Sequence, residues 1–210
     1  MEEEREGRDL TRVSRRGFIQ GIGTGLVGTA LLGAGEKEHE AEAATESGGM
    51  GPGPVSVTLN VNGRSHPVRV EPRQTLASVL RNDLDMTGTK IVCDQGSCGA
   101  CTVMMDGKPV YSCMLLAVDA AGHKITTVEG LGSPEKMDPV QAAFVEKDAL
   151  MCGFCTPGFV VAVRSLLNTN KHPTLEEVKA ACSGNLCRCG TYPRVFEAAL
   201  AAAKRMRNGG

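Results

Sequence analysis

The sequence predicts an α+β protein in which a small sheet precedes a set of helices. Two β-hairpin signals lie in the first half of the chain, and helical periodicity replaces strand patterning after Gly130. Eight of the nine cysteines form two groups, one in each of these parts. We therefore expect two adjoining units, over residues 55–132 and 133–210, each with its own cysteine site.

The overall composition excludes a nucleic-acid binder. The formal charge is −1, aromatic residues make up 3% of the 210 residues, and Trp is absent. Neither a long basic run nor an aromatic stacking platform is present. A short chain with few large side chains has difficulty burying enough apolar surface, and bound metal is a common remedy.

The N-terminus resembles an export signal. Residues 14–18, Ser-Arg-Arg-Gly-Phe, form a twin-arginine pattern, and a mildly apolar, glycine-rich stretch follows over residues 19–34. That stretch is too short and too rich in glycine for a stable membrane span, and an amphipathic or disordered tail is the alternative. Ala41-Glu42-Ala43 is a small-x-small cleavage site. We expect residues 1–43 to be a twin-arginine signal peptide and the mature protein to be periplasmic.

This export signal affects how the cysteines are interpreted. Nine cysteines in an exported protein would ordinarily indicate disulfides. The signal resembles the class used by proteins that fold and take up cofactors before export, which favours metal ligation. Without residues 1–43, 17 basic and 15 acidic residues remain, a formal charge of +2.

The first predicted elements are a hairpin and a helix. Residues 44–54, rich in Gly, Pro and Ser, are predicted to be a flexible leader. Strands over 55–59 and 68–70 flank Asn62-Gly63, a strong hairpin signal because both turn positions need positive φ. Thr75 then caps a short helix. Its apolar stripe consists of Leu76, Val79, Leu80 and Leu84.

A second hairpin and a last strand complete the predicted sheet, which we expect to have a mixed strand order. Strands over 102–105 and 110–111 flank Asp106-Gly107, and another strand covers 125–128. The first cysteine group lies mainly in the loop before these strands.

Four short helices are predicted after this sheet. The first is marked by Val140, Phe144 and Val145, and Pro157-Gly158 begins the second. Thr174 and Glu177 form the capping box of the third. The apolar positions of the second are Val160, Val163, Leu166 and Leu167; those of the fourth, over about 193–206, are Val195, Phe196, Ala199, Leu200 and Ala203.

The first cysteine group is typical of an iron–sulfur site. Four and then two residues separate its opening cysteines, the plant-type ferredoxin spacing. Gly96, Gly99 and Ala100 let backbone N–H groups approach sulfur closely. A tetrahedral zinc site is the alternative, although zinc usually uses paired CxxC knuckles. The predicted ligands of this [2Fe-2S] cluster are Cys93, Cys98, Cys101 and Cys113.

The second cysteine group combines a CxxC pair with a CxC pair. A CxxC pair alone is compatible with a redox dithiol, half a zinc site or half a cluster site. A redox dithiol would need a strand-to-helix context, whereas this pair lies between predicted helices. We expect the CxC pair to bring two thiolates to one side of a metal core. The four predicted ligands are Cys152, Cys155, Cys187 and Cys189.

The remaining cysteine and the histidines carry no predicted chemistry. A lone cysteine is more often a small buried hydrophobe than a reactive group, and we expect this of Cys182. The four histidines are scattered without pairing, and we expect them at the surface: His39, His66, His123 and His172.

Four motifs in this order resemble the small iron–sulfur subunit of the molybdenum hydroxylases, a family that includes xanthine dehydrogenase, aldehyde oxidoreductase, carbon monoxide dehydrogenase and isoquinoline oxidoreductase. They are Gly-Thr-Lys at 88–90 before Cys93, CGACTV at 98–103, CGFCTPG at 152–158 and SGNLCRCG at 183–190. The resemblance covers about residues 55–206.

The resemblance implies a β-grasp ferredoxin domain followed by a four-helix domain, each with one [2Fe-2S] cluster. It also implies that molybdopterin lies on a large partner subunit, next to the position of Cys189, and that an FAD subunit, a cytochrome or another acceptor takes the electrons.

The family usually has Gln where this chain has Met151, so the amide contact to the pterin cannot be made. The family often has Gly where this chain has Val92.

We therefore expect the electron-transfer subunit of a periplasmic molybdenum hydroxylase that oxidises an aldehyde or a nitrogen heterocycle. The chain has no GxGxxG unit in a strand-to-helix context for a dinucleotide and no room for a molybdopterin domain, so no catalytic residue for substrate is expected here. A free-standing two-cluster ferredoxin is the alternative, although such carriers are usually strongly acidic. A disulfide-bonded exported binding module is a third possibility.

Overall fold

The computed structural model describes residues 52–208. The predicted signal peptide and most of the predicted leader lie outside these residues. Across residues 52–208, no helix combines the length and the apolar character needed to cross a lipid bilayer.

A five-stranded mixed sheet forms the first half of the described chain. Its spatial order is β2-β1-β5-β3-β4; β1 and β5 are parallel, and the other neighbours are antiparallel. This confirms the predicted α+β class and mixed strand order. The strands are β1 (Val55–Val61), β2 (Arg64–Val70), β3 (Thr102–Met105), β4 (Lys108–Tyr111) and β5 (Lys124–Thr126).

Both hairpin turns have the predicted conformation. The φ angles are 52° and 75° at Asn62 and Gly63, and 51° and 82° at Asp106 and Gly107. Positive φ at both central residues matches the twist of the flanking strands. Both strands continue to the turn beyond their predicted bounds, so β1 and β2 are longer than the apolar pattern predicted.

The predicted helix packs under the sheet as α1 (Leu76–Asn82). The Thr75 hydroxyl accepts a hydrogen bond from the Ser78 N–H over 3.3 Å, which confirms the predicted cap. Leu84 lies beyond the helix end and is half-buried. The fully buried side chains of this core come from α1, the sheet and the loop after β4: Leu59, Val61, Val70, Leu76, Val79, Leu80, Val103, Ala117, Ala120 and Ile125.

The last strand is shorter than predicted, because the Asn62 side chain takes the place of the backbone hydrogen bonds that would continue the strand. The Asn62 side-chain oxygen accepts the Thr127 N–H over 2.9 Å, and the Asn62 amide donates to the Thr127 hydroxyl over 3.0 Å. A 3₁₀ turn, Val128–Gly130, then leads to the helices. The strand prediction for 127–128 is therefore wrong.

Four helices follow in the described chain: α2 (Pro139–Glu146), α3 (Thr156–Thr169), α4 (Leu175–Cys182) and α5 (Tyr192–Asn208). The capping box of Thr174 and Glu177 is present as predicted, and Asp138 caps α2 in the same way. That these helices form a separate domain, with a boundary near residue 132, stays a prediction.

The helices enclose a second hydrophobic core. Cys182 lies in it, 2% exposed, so the expectation of a buried structural cysteine is confirmed. Val145, which helped to predict α2, points to solvent. The largest or most central members of this core are Val140, Phe144, Phe159, Val163, Leu167, Val178, Val195, Ala199 and Ala203.

Helix α3 also lies against the sheet. The Ser165 hydroxyl donates to the carbonyl of Gly107 in the second hairpin over 3.0 Å, and Asn168 contacts the sulfur of Met104. Because Cys155 immediately precedes α3 and Cys101 immediately precedes β3, this packing brings the two cysteine groups near each other.

Candidate metal centres

The first cysteine group converges from two segments. Cys93, Cys98 and Cys101 lie on the loop between α1 and β3, and Cys113 lies in the 3₁₀ turn after β4. Cys101 and Cys113 are buried, whereas Cys93 and Cys98 are half-buried. The thiols form two close pairs, Cys93 with Cys98 and Cys101 with Cys113. Each pair can serve one iron of a two-iron core.

The loop of this group presents backbone donors to sulfur. The Ser97 N–H donates to the Cys93 sulfur over 3.3 Å. A backbone hydrogen bond from Gln95 is the main cause that lowers the pKa of the Cys93 thiol to about 7. Gly99 needs its glycine: its φ is +67°, and a Cβ there would lie 2.4 Å from the Gly184 carbonyl oxygen.

Burial has the opposite effect on Cys113. It raises the pKa of the Cys113 thiol to about 11. A thiolate at this position therefore needs a positive partner, and a bound metal ion supplies one.

The second cysteine group lies between helices. Cys152 and Cys155 precede α3, and Cys187 and Cys189 lie on the loop between α4 and α5. Cys187 is buried and Cys155 half-buried, whereas Cys152 and Cys189 are exposed. The group therefore has an inner and an outer side.

The pairing of these thiols corrects the prediction for the CxC motif. Cys187 pairs with Cys155, and Cys189 pairs with Cys152. The two CxC sulfurs therefore belong to different pairs and do not lie on one side. The reason is that Thr191 holds the Cys187 sulfur inward, whereas Cys189 stays at the surface.

The inner pair shows two opposed electrostatic effects. Burial raises the pKa of the Cys155 thiol to about 12. Burial is the largest single effect and also raises the pKa of Cys187, but several hydrogen bonds together outweigh it, first those from the Thr191 hydroxyl and N–H, and the pKa falls to about 7. Cys187 is therefore prepared to be a thiolate ligand at neutral pH.

These donor sets fit two-iron clusters. Within residues 52–208, no three His, Cys, Asp or Glu side chains converge on a point suited to one metal ion. Two pairs of thiols can hold a sulfide-bridged core, one pair to each iron. The Thr156 hydroxyl, next to Cys155, is buried without a protein partner, as expected of a donor to a bound group.

Backbone and side-chain hydrogen bonds join the two groups. The Leu186 N–H donates to the Cys98 carbonyl over 2.9 Å, and the Asn185 amide donates to the Gly99 carbonyl over 2.8 Å. The Tyr111 hydroxyl donates to the Gly184 carbonyl over 3.0 Å. The segment 184–186 is therefore fixed against the loop of the first group.

Sequence reasoning missed the residues that support the ligands. Asn185 lies inside a quoted motif, but its partners are more than 80 positions away. Thr191 follows the last motif directly, and nothing in its local sequence indicates a bond to sulfur. The Cys187 N–H donates to the Tyr192 hydroxyl over 2.8 Å, which was also unforeseen.

None of the histidines within residues 52–208 belongs to either cysteine group. His123 pairs with Asp106 at 2.5 Å on the surface, and His172 is exposed. His66 is half-buried in β2, so the surface prediction is wrong for it. His39 lies outside the described residues.

Exposed apolar residues lie close in sequence to the cysteines of the second group. Met151 and Phe154 are 68% and 58% exposed, Leu150 is exposed before Met151, and Leu186 is exposed before Cys187. These four residues, here called the outer apolar surface, adjoin Cys152 and Cys187 along the chain. Exposed apolar side chains in such a group typically mark an interaction site.

Two family matches cover most of the described chain. Residues 59–124 match the family described as a 2Fe-2S iron-sulfur cluster binding domain, and residues 127–200 match the family described as a [2Fe-2S] binding domain. The first match contains Cys93, Cys98, Cys101 and Cys113; the second contains Cys152, Cys155, Cys187 and Cys189.

Two relatives each align with 71% of this chain. The nicotine 6-hydroxylase small subunit of Paenarthrobacter nicotinovorans is 49% identical over 150 residues, which cover 71% of this chain and 90% of the relative. The aldehyde oxidoreductase iron-sulfur-binding subunit PaoA of Escherichia coli is 38% identical over 165 residues, covering 71% of this chain and 72% of the relative.

Solved structures share the fold. Quinoline 2-oxidoreductase from Pseudomonas putida 86 has a chain with a TM-score of 0.71 and 44% identity, covering 74% of this chain and 98% of that one. The aldehyde oxidoreductase of Desulfovibrio gigas gives a TM-score of 0.71 and 39% identity, but the match spans only 18% of its chain.

Proposed function

Because this chain belongs to the family of small iron–sulfur subunits of the molybdenum hydroxylases, we propose that it is the electron-transfer subunit of a periplasmic complex of that type. Its partner is a large subunit that holds molybdopterin, and the substrate is an aldehyde or a nitrogen heterocycle. The observation that carries the proposal is the arrangement of eight thiols in two linked quartets, each of which fits one [2Fe-2S] cluster.

Some residues of the chain would hold the clusters, and others connect the two cysteine groups. When bound, a [2Fe-2S] cluster takes up and releases one electron at a time. The four thiols of each group would hold the cluster, and backbone N–H groups would offset the negative charge on its ligand sulfurs. The hydrogen bond from Leu186 to Cys98 supplies a short connection between the two groups.

The outer apolar surface supports the place of the large subunit. Met151 and Phe154 lie within or beside the CxxC motif, and Cys152 and Cys189 are exposed next to them. Burying these side chains in a partner would remove apolar area from water and shield the outer thiol pair. Met151 replaces a family glutamine, so contact with the partner here is apolar.

The half-buried thiols of the first group support a separate exit for electrons. Cys93 and Cys98 lie on an exposed loop, and Val92 and Met114 beside it expose apolar side chains. We place the acceptor, an FAD subunit, a cytochrome or another redox partner, against this loop.

Names of relatives support the substrate class. Three of them, a nicotine 6-hydroxylase, a nicotinate dehydrogenase and a quinoline 2-oxidoreductase, refer to nitrogen heterocycles, and another refers to an aldehyde.

The twin-arginine pattern at Arg15 and Arg16 supports export of the folded, loaded chain. Replacing both arginines by lysine should retain the protein in the cytoplasmic fraction.

Metal analysis of the native complex tests the function. The full chain is purified anaerobically with its partners, iron, sulfide and molybdenum are counted, and EPR spectra are recorded after reduction. Four irons per chain, two rhombic signals and one molybdenum are expected. Four irons without molybdenum would favour a free-standing ferredoxin, and zinc would overturn the cluster assignment.

A substitution on the outer apolar surface tests the place of the partner. Phe154→Asp should abolish co-purification of the molybdenum subunit while iron content stays at the wild-type level. Leu175→Asp is the matched control, because Leu175 is an exposed apolar residue at the start of α4. Loss of the partner in both variants, or in neither, contradicts the assignment.

A further inference from the structure

The sulfur of Cys187 receives two hydrogen bonds from one residue. The Thr191 hydroxyl lies 3.0 Å from it, and the Thr191 N–H donates to it over 3.4 Å. A ligating thiolate has no proton to give, so the hydroxyl must be the donor when Cys187 binds iron. Thr191 is 6% exposed, and bulk water therefore cannot readily replace this donor.

The start of α5 fixes the position of Thr191. Its carbonyl oxygen accepts the Val195 N–H over 3.0 Å, in the pattern of the first helical turn. The next residue, Tyr192, accepts the Cys187 N–H on its hydroxyl, and its ring packs edge-on against Phe159 of α3 with centroids 5.8 Å apart. The threonine and the cysteine are thus held to each other by packed helices.

This arrangement favours negative charge on the Cys187 sulfur. Two donors point at it, and it lies near the N-terminus of the 17-residue helix α5, where the helix dipole is positive. Addition of an electron to a cluster raises its negative charge by one. Hydrogen bonds to the ligand sulfurs therefore stabilise the reduced form and raise the reduction potential.

The hydroxyl distinguishes the second group from the first. Among the cysteines of residues 52–208, Cys187 is the one whose sulfur is bonded to a side-chain hydroxyl; Cys93 has a backbone N–H from Ser97 instead. A change at Thr191 that spares the backbone therefore acts on one group and leaves the other as an internal reference.

We propose that Thr191 is a positioning residue that raises the reduction potential of the second cluster through its hydrogen bond to the Cys187 thiolate. The inference rests on the proposed function, in which both groups hold [2Fe-2S] clusters. Thr191 stabilises the product of a one-electron reduction in which no bond is made and no proton moves. The electron comes from the large subunit in the complex, or from dithionite in a titration.

Redox titration of the loaded full chain in its native complex, followed by EPR, tests this proposal. Thr191→Val removes the hydroxyl but keeps the shape and the N–H. It should lower the equilibrium constant for reducing the second cluster about fivefold to twentyfold, which is about 40 to 80 mV for one electron. Thr191→Ser keeps the hydroxyl and should stay within about twofold of wild type, about 18 mV.

Thr169→Val is the matched control, since its hydroxyl donates to the Leu166 carbonyl on the surface of α3. It should leave both potentials unchanged. Two EPR signals from the wild-type complex establish the clusters first, so failure of the proposed function is visible before any variant is compared.

Three results with the loaded protein would overturn the proposal, and a fourth concerns loading. They are an unchanged second potential in loaded Thr191→Val, an equal fall in Thr191→Ser, or an equal fall at the first cluster. If Thr191→Val and the smaller Thr191→Ala both fail to load the second site while Thr191→Ser loads, the hydroxyl serves assembly, and the proposal is wrong.

Discussion

The backbone N–H of Leu186 donates a hydrogen bond of 2.9 Å to the carbonyl oxygen of Cys98. Cys98 is a predicted ligand of the first group, and Leu186 directly precedes Cys187, a predicted ligand of the second. One hydrogen bond and one peptide linkage therefore connect predicted ligands of the two groups. A side-chain substitution cannot remove this backbone hydrogen bond. The contact is therefore tested by substituting a residue that packs beside it.

Asn185 is the residue that holds this contact. Its amide donates to the Gly99 carbonyl over 2.8 Å and to the Thr102 hydroxyl over 3.2 Å, and it is buried. Asn185→Leu removes these two buried hydrogen bonds and should lower the free energy of unfolding by about 2 kcal/mol. It should also weaken the magnetic coupling between the two reduced clusters in EPR spectra.

Asn82→Leu is the control for that change. The Asn82 amide bonds to the Ser78 hydroxyl on the surface of α1, so its loss should cost less than about 0.5 kcal/mol. Denaturant unfolding of the loaded protein measures both values. Equal magnetic coupling in Asn185→Leu and wild type would show that Asn185 does not set the contact.

Gly158 should resist replacement by alanine although it lies in a helix. Helix propensity alone predicts a gain of up to about 1 kcal/mol for Gly→Ala. A Cβ at Gly158, however, would lie 2.3 Å from the Gly99 carbonyl oxygen. We expect Gly158→Ala to destabilise the loaded protein by about 2 kcal/mol, because backbone atoms must move. Thermal unfolding measures the effect, and a rise in Tm would contradict the packing.

Cys182 and Cys187 should behave oppositely when changed to alanine. Burial raises the pKa of the Cys182 thiol to about 12, and it lies in the helical core away from the ligand pairs. Cys182→Ala should keep all iron and cost about 1 kcal/mol of stability. Cys187→Ala should lose the two irons of the second group. Iron and sulfide analysis distinguishes the two, and iron loss from Cys182→Ala would make it a ligand.

The ion pair of Arg164 and Asp138 should be worth more than a surface pair. The guanidinium donates to the carboxylate over 2.7 Å, and the Asp138 side chain is 7% exposed. Arg164→Met leaves this carboxylate buried with only the backbone N–H groups of its helix cap as donors, and should cost about 2 kcal/mol.

The exposed pair of Arg73 and Glu71 provides the comparison. Arg73→Met should change stability by less than about 0.5 kcal/mol, since water solvates both groups. Urea unfolding in low and high salt measures both variants. Equal effects of the two substitutions would show that the buried position of Asp138 carries no extra stability.

Local chemistry explains which predictions were confirmed. The turns at Asn62-Gly63 and Asp106-Gly107, and the caps at Thr75 and Thr174, depend on residues within four positions of each other. Such features follow from backbone sterics and short-range hydrogen bonds, which can be predicted from the types of neighbouring residues. The end of β5 was missed, because Asn62 reaches Thr127 across 65 positions.

The sequence by itself determined the eight candidate ligands, the mixed α+β class and the family. Spacing and glycine placement are local properties, and a cluster imposes them strongly on its loop. The tertiary structure alone decided which thiols pair, since Cys155 meets Cys187 only after α3 and α5 pack together. It also decided which donors reach the sulfurs and how the groups connect. Those contacts depend on helix and sheet packing, whose geometry no local pattern records.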